Sequence, residues 1–177
     1  KNWDKLGSND PLWAISSLNE KIEDSKDRYE FFQRGVDEIH KIMKLIEKNR
    51  IDINRKQALD FGCGVGRCTQ ALALHFETVE GIDIAPSMIT WAKKYNVYTN
   101  QVNYHSIDER PLKTFETDSF NLIYSTDVIQ HINPIYVLTS LPIHPKTIMT
   151  ANIITAILSM FFSSLSIFFL SYSYYYL

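Results

Sequence analysis

The feature that most constrains the fold is the segment LDFGCGVGR at residues 59–67, where three glycines follow a short apolar run at alternate positions. Glycine adopts left-handed backbone angles and lets another molecule approach the main chain closely. The apolar run at 58–61 predicts a strand, and the spacing of apolar residues over 69–76 predicts a helix. The segment therefore predicts a strand, a tight loop and a helix in succession.

The same alternation continues along the chain. Residues 78–83, 102–105 and 120–125 are predicted to be strands, and residues 86–94 a helix. Strands that alternate with helices indicate an α/β fold with a Rossmann-like, doubly wound parallel sheet. In such a sheet the ligand lies beyond the carboxyl ends of the strands, where the first strand turns into its helix. We expect a ligand site at the glycine loop.

Residues 1–50 are predicted to be helical. Asp10-Pro11 is typical of a helix start, with proline at the first helical position. The apolar residues of a second helix recur at steps of three and four, which predicts one buried face; they are Tyr29, Phe32, Val36, Ile39, Ile42, Met43 and Ile46. We expect residues 1–50 to form a helical cap that packs against the sheet.

Composition narrows the kind of partner. A chain of 177 residues suits one domain, and a formal net charge of −2 gives no basic balance of the kind that binds nucleic acid. The two cysteines, Cys63 and Cys68, match no zinc or disulfide spacing. We therefore expect reduced structural thiols, no metal site and no nucleic-acid partner.

Two acidic residues at predicted strand ends indicate the chemistry of the ligand. Asp60 precedes the glycines Gly62, Gly64 and Gly66, where it can reach a cationic group. Asp83 ends the next strand, where a carboxylate can accept hydrogen bonds from both hydroxyls of a ribose. The sequence thus predicts a nucleoside-like ligand with a positively charged end.

A nicotinamide dinucleotide is the alternative ligand for a loop of this kind. Its fingerprint, G-x-G-x-x-G, needs a third glycine where this chain has Arg67. Asp60 also places a negative charge where a pyrophosphate would lie. Both departures argue against a nicotinamide-binding oxidoreductase.

Three motifs in order resemble those of the class I S-adenosylmethionine-dependent methyltransferases, particularly the type 11 methyltransferase domain. They are LDFGCGVGR, VEGIDIAPSMI and DSFNLIYSTDVIQHI, and the resemblance covers residues 1–134. It implies an enzyme that binds S-adenosyl-L-methionine and transfers its methyl group to a small-molecule acceptor.

The resemblance also implies roles for individual residues. Gly62, Cys63 and Gly64 would hold the methionine part of the cofactor, with Asp60 near its amino group. Further along the chain, Asp83 would bind the ribose and Ile84 would pack on the adenine face. Asp108 would contact the adenine amino group, and Ser125 would border the reacting methyl group.

Catalysis of methyl transfer needs mainly positioning, so a general base is optional. Asp127 and His131 follow the fourth predicted strand and are candidates to accept a proton from the acceptor. The competing interpretation makes Asp127 a helix cap and His131 a packing residue.

The chain departs from the family pattern after residue 134. A complete member has seven strands, so we expect an incomplete sheet, truncated after the fourth strand, with residues 51–146 as a partial core and 147–177 as an apolar tail. Residues 148–170 form a run of 23 residues without charge, rich in Ile and Phe but interrupted by Ser, Thr and Asn. Its length and lack of charge meet the requirement of a membrane span for about 20 predominantly apolar residues. Lys146 before this run and tyrosines after it would leave the enzyme domain cytoplasmic, anchored by a transmembrane helix.

Two other interpretations of the tail remain open: a defective gene end, or a fifth strand over residues 147–154. A defective end would make the chain a catalytically impaired fragment that binds the cofactor without turnover.

Overall fold

The computed structural model describes residues 3–14, 24–107, 115–116, 119–128 and 148–149. Its elements in chain order are α1 (Trp3–Asn9), α2 (Pro11–Ala14), α3 (Ser25–Lys48), β1 (Gln57–Phe61), α4 (Arg67–Leu72), β2 (Thr78–Asp83), α5 (Pro86–Tyr95), β3 (Val102–Ser106), β4 (Leu122–Tyr124) and β5 (Ile148–Met149).

The five strands form one parallel sheet in the order β3-β2-β1-β4-β5. The chain moves outward from β1 through β2 to β3, then returns to the other side of β1 for β4. The predicted doubly wound parallel sheet is confirmed. The order reverses between β1 and β4, so the crevice beyond their carboxyl ends is the topological switch point at which such sheets bind ligands.

One face of the sheet carries the main core. Alternate strand residues, among them Ala58, Val79 and Leu122, are buried against apolar side chains of α3, α4 and α5. This packing holds α4, which follows the glycine loop, and α5, which follows β2, in fixed positions relative to the strand ends.

Helix α3 begins at an N-cap that the sequence analysis did not identify. The Asp24 carboxylate accepts hydrogen bonds from the backbone N–H groups of Lys26 and Asp27 at 2.7 and 2.8 Å. A side chain of this kind satisfies N–H groups that have no partner within the helix. The first helix also begins earlier than predicted, because α1 precedes Asp10-Pro11 and α2 starts at Pro11.

The buried face of α3 differs from the predicted one in its first half. The structure buries Phe31 and Gly35, whereas Tyr29 is exposed and Phe32 is half-buried. Ile39, Met43 and Ile46 are buried as predicted. The prediction that Tyr29 and Phe32 belong to the buried face of α3 was therefore wrong.

The C-terminal tail enters the described residues only at 148–149. These two residues pair in parallel with β4, Ile148 beside Leu122 and Met149 beside Ile123. They give the fourth strand a neighbour where the sequence analysis ended the sheet, and they agree with the interpretation of residues 147–154 as a strand. An unpaired β4 would expose its backbone N–H and C=O groups.

The rest of the predicted membrane span, 150–170, lies outside the described residues. Within the residues that the structure describes, no helix combines the length and the apolar character that crossing a membrane requires. The apolar C-terminal helix remains a prediction for that part of the chain.

Candidate cofactor site

The glycine loop between β1 and α4 lies at the topological switch point. Gly62, Gly64 and Gly66 have φ angles of 82°, 55° and 85°, all in the left-handed region that favours glycine. A Cβ on Gly62 would meet the side chain of Val128, which follows β4, and one on Gly66 would meet the hydroxyl of Tyr104 in β3. Val128 after β4 and Tyr104 in β3 therefore pack closely against the loop.

The N–H groups of the loop are directed into the protein. Those of Gly62 and Cys63 both donate to the carbonyl of Ile82, at 2.7 and 3.0 Å. The N–H of Gly64 donates to Asp83 Oδ2 at 2.9 Å. These bonds tie the loop to the end of β2, and they leave those three N–H groups unable to cradle a phosphate.

Asp83 is held in place from both sides. Its Oδ2 accepts the Gly64 N–H, and its Oδ1 accepts the N–H of Ala85 at 2.9 Å. Burial raises the pKa of Asp83, and the backbone N–H groups of Ala85, Gly64 and Ile84 oppose that rise. A carboxylate has about four acceptor positions, so these N–H groups leave acceptor capacity for a ligand. Ile84, the next residue, is 65% exposed and offers an apolar surface beside them.

Asp60 lies beneath the loop rather than at its surface. The residue is 3% exposed, and its Oδ2 accepts a hydrogen bond from the Thr69 hydroxyl of α4 at 2.6 Å. Burial raises the pKa of Asp60 to about 7, against the opposing effects of Thr69 and Arg67. From the sequence, this carboxylate was expected to contact a cationic group of the ligand. In the structure it is bonded to the Thr69 hydroxyl.

The end of β4 forms the other side of the crevice. Ser125 is buried, and its hydroxyl donates to the carbonyl of Phe61 at the end of β1, at 2.8 Å. Asp127 is exposed and has a left-handed φ of 58°. Asp108 and His131, which were predicted to contact the adenine and to act as a base, lie outside the described residues.

Both cysteines are buried free thiols. Burial raises the pKa of Cys63 and that of Cys68, and the neighbouring Asp60 carboxylate adds to both shifts. A thiol that keeps its proton is a poor nucleophile. Cys63 therefore contributes its backbone to the glycine loop, and its side chain fills space.

Comparison with known proteins identifies a domain within the chain. A family profile described as a methyltransferase domain matches residues 59–140, a range that begins in β1 and contains the glycine loop, Asp83 and β4. Residues 59–140 thus match a methyltransferase domain, and the fold is that of the class I S-adenosylmethionine-dependent methyltransferases. The cofactor of this family is S-adenosylmethionine.

Curated relatives and solved structures agree with this family. A ubiquinone biosynthesis O-methyltransferase of Coxiella burnetii (strain RSA 493 / Nine Mile phase I) is 33% identical over 91 residues, 51% of this chain and 38% of that protein. The chain spans about two fifths of the length of these curated relatives.

Two solved structures share the fold. An S-adenosylmethionine-dependent methyltransferase of Leishmania major has a TM-score of 0.60 at 12% identity, with 83% of this chain and 57% of that chain covered. An S-adenosylmethionine-bound amino pentose methyltransferase of Micromonospora echinaspora, involved in calicheamicin biosynthesis, has a TM-score of 0.50 at 23% identity, with coverages of 68% and 53%.

Three residues around the loop were not predicted from the sequence. Thr69 holds Asp60, Val128 covers Gly62, and Glu38 of α3 pairs with Arg67 at the end of the loop. The sequence could have indicated a role for Glu38, because an acidic residue next to Ile39 lies close to the predicted buried face of α3. No local pattern indicates the roles of Thr69 and Val128, since these roles depend on how α4 and the segment after β4 pack against the loop.

Proposed function

We propose that this chain binds S-adenosyl-L-methionine beyond the ends of β1, β2 and β4 and transfers its methyl group to a small-molecule acceptor. The observation that carries the proposal is the Asp83 carboxylate, fixed by the N–H groups of Gly64 and Ala85 beside the glycine loop. The match to a methyltransferase domain supports the chemistry, and the geometry around Asp83 supports the proposed position of the cofactor.

Asp83 would bind the ribose of the cofactor. Its remaining acceptor capacity suits the adjacent hydroxyls of a ribose, because both hydroxyls can donate to a carboxylate. The exposed side chain of Ile84 offers an apolar surface against which the adenine ring would pack. Asp108 remains the proposed partner of the adenine amino group.

The glycine loop would hold the methionine end. With the N–H groups of Gly62, Cys63 and Gly64 all donating within the protein, an anion would find no donor at these three positions. The buried Asp60 carboxyl, when ionised, adds negative potential beneath the loop that favours a cation. The sulfonium and ammonium groups of the cofactor fit this loop, and the carboxylate of the cofactor would take donors other than these three N–H groups. The pyrophosphate of a nicotinamide dinucleotide, which would lie against the same three groups, does not fit.

The bound cofactor supplies a methyl group on a positively charged sulfur, which leaves as a neutral thioether. The protein then has to align the acceptor and exclude water. Ser125, tied to Phe61, fixes the end of β4 beside the loop, and borders the methyl group in this proposal. Asp127 and His131 remain the candidates for accepting a proton from the acceptor.

The N-terminal helices would form a cap on the site. Leu12 and Phe31 pack in one cluster with Val65 of the glycine loop and with Ala85 and Met88, which follow Asp83. Helices α2 and α3 are thus in direct contact with both proposed cofactor-binding segments. This contact supports a cap at 1–50 on a core at 51–146; the proposed tail at 147–177 begins with the residues that pair with β4.

A small molecule is the proposed acceptor because the relatives carry names of that kind. The Coxiella burnetii protein is named for ubiquinone biosynthesis, and the Micromonospora echinaspora protein is named an amino pentose methyltransferase. The two names share a small-molecule acceptor and differ in its chemistry, so the proposal stops at that class.

Calorimetric titration of the full chain tests the proposal. We expect S-adenosylmethionine and S-adenosylhomocysteine to bind and NAD not to bind, since the loop suits a cation. Asp83→Ala is expected to weaken adenosyl binding at least about tenfold, a loss of about 1.4 kcal/mol. Asp52→Ala, a substitution of an exposed aspartate, is the matched control, and circular dichroism verifies that each variant is folded. Binding of NAD alone, or unchanged adenosyl binding by a folded Asp83→Ala, would contradict the proposal.

A further inference from the structure

The carboxylate of Glu38 in α3 joins two elements that border the cofactor crevice. Its Oε2 pairs with Arg67 Nη1 at 2.9 Å, and its Oε1 accepts a hydrogen bond from the Tyr124 hydroxyl. Arg67 is the first residue of α4, directly after Gly66, and Tyr124 is the last residue of β4. One side chain therefore connects the end of the glycine loop with the end of β4.

Close packing of α3 on the loop makes this connection reachable. A Cβ on Gly35 would lie 2.5 Å from the carbonyl oxygen of Arg67, so α3 approaches the backbone at that point as only glycine permits. Glu38 lies three residues further along the helix, on the same side as Gly35. The absence of a side chain at Gly35 thus brings the Glu38 carboxylate to both of its partners.

Burial makes both contacts costly to lose. Tyr124 is buried, and the guanidinium side of Arg67 is largely covered. Burial raises the pKa of the Tyr124 hydroxyl, and Cys68 and Glu38 raise it further, so the hydroxyl keeps its proton and donates. Hydrogen bonds to a charged group are stronger than those between neutral groups. Without Glu38, a covered cation and a buried hydroxyl would both lack their carboxylate partner.

We infer that Glu38 is a positioning residue of the cofactor site, one that fixes the glycine loop relative to the end of β4. It acts through its contacts with Arg67 and Tyr124. The identity of the ligand in the crevice rests on the proposed function. The role of Glu38 in ordering the two sides of the crevice rests on its contacts with Arg67 and Tyr124.

The test compares Glu38→Ala and Glu38→Gln with Asp37→Asn, which changes an exposed acid on the same helix. Two quantities are measured on the full chain, below the unfolding temperature of every variant: hydrogen exchange over residues 62–70 and 122–128, and the Kd for S-adenosylhomocysteine. Glu38→Ala is expected to speed exchange in both segments and to raise the Kd about tenfold. Glu38→Gln should give a smaller effect, because an amide retains one acceptor oxygen but turns N–H donors toward the second partner.

Unchanged exchange and Kd in folded Glu38→Ala would overturn the inference, even if its unfolding temperature fell, because Glu38 would then only stabilise the fold. Should Glu38→Ala fail to fold, Tyr124→Phe removes one of the two contacts; faster exchange over 62–70 supports the inference, and unchanged exchange overturns it. Failure of the wild-type chain to bind S-adenosylhomocysteine contradicts the proposed function alone, since the exchange measurement still decides the role of Glu38.

Discussion

Asp60 and Asp83 show how two residues with similar sequence signals acquire different environments. Both are acids at the ends of neighbouring parallel strands. Asp83 keeps acceptor positions available beside the exposed Ile84, whereas Asp60 is covered by α4 and bonded to Thr69. The sequence places both carboxylates at the ligand-binding edge of the sheet. Which of the two is covered depends on how α4 packs on β1, and no local pattern records that.

Burial of Asp60 predicts an unusual pH dependence of stability. Its pKa rises from 3.8 to about 7 on folding, so the unfolded chain releases this proton at lower pH than the folded chain. Stability from this group is therefore present at low pH and is lost as the pH rises toward 7, by about 1.4 kcal/mol per unit of pKa difference. Asp60→Asn is expected to gain stability relative to wild type between pH 4 and pH 8, because its amide stays neutral and can still accept from Thr69.

Urea unfolding of wild type and Asp60→Asn at several pH values measures this difference. Asp52→Asn, at an exposed position, supplies the baseline for removing one carboxylate. A variant that loses stability relative to wild type as the pH rises would show that the ionised Asp60 carboxylate stabilises the fold, opposite to the account given above.

At the scale of elements, most strands and helices could be predicted and the face of α3 could not. The predicted strand at 78–83 coincides with β2, and the predicted helix at 86–94 ends one residue short of α5. In α3 the buried face passes through Gly35, which has no apolar side chain to mark it. The apolar spacing therefore placed Tyr29 and Phe32 on the predicted buried face. The observed face contains Gly35 instead, because α3 packs closely on the backbone of Arg67 at that residue.

Truncation of the two aromatic residues tests this register of α3. Phe31 is 1% exposed and packs with Leu12, Val65 and Met88, whereas Tyr29 is 68% exposed. Phe31→Ala is expected to lower the free energy of unfolding by about 3–5 kcal/mol through lost burial and a cavity. Tyr29→Ala should change it by less than about 0.5 kcal/mol.

Chemical denaturation measures both effects, and the two variants control for each other because each removes an aromatic ring from the same helix. Equal losses in the two variants, or a larger loss for Tyr29→Ala, would contradict the observed face of α3 and favour the one read from the apolar spacing.

At the scale of the whole molecule, the sequence predicts a doubly wound sheet, and the structure adds the strand order that creates the crevice. The order β3-β2-β1-β4-β5 places β4 beside β1, so the glycine loop and Ser125 face each other across the switch point. Local patterns predict strands but not their neighbours, because strand pairing is set by contacts between residues far apart in sequence. The neighbour of β4, provided by residues 148–149, was hidden within an apolar run that also suited a membrane span.

The central claim is that S-adenosyl ligands bind at this crevice, and mapping the bound ligand by NMR tests it most directly. At 20.6 kDa, the full ¹⁵N-labelled chain can be titrated with S-adenosylhomocysteine while its backbone amide signals are followed. We predict the largest shifts at residues 62–66, at Ile84 and Ala85, and at 125–127, with little change at the end of α3 around Lys48. Saturable binding whose shifts leave the glycine loop and the residues after Asp83 unchanged would contradict the account.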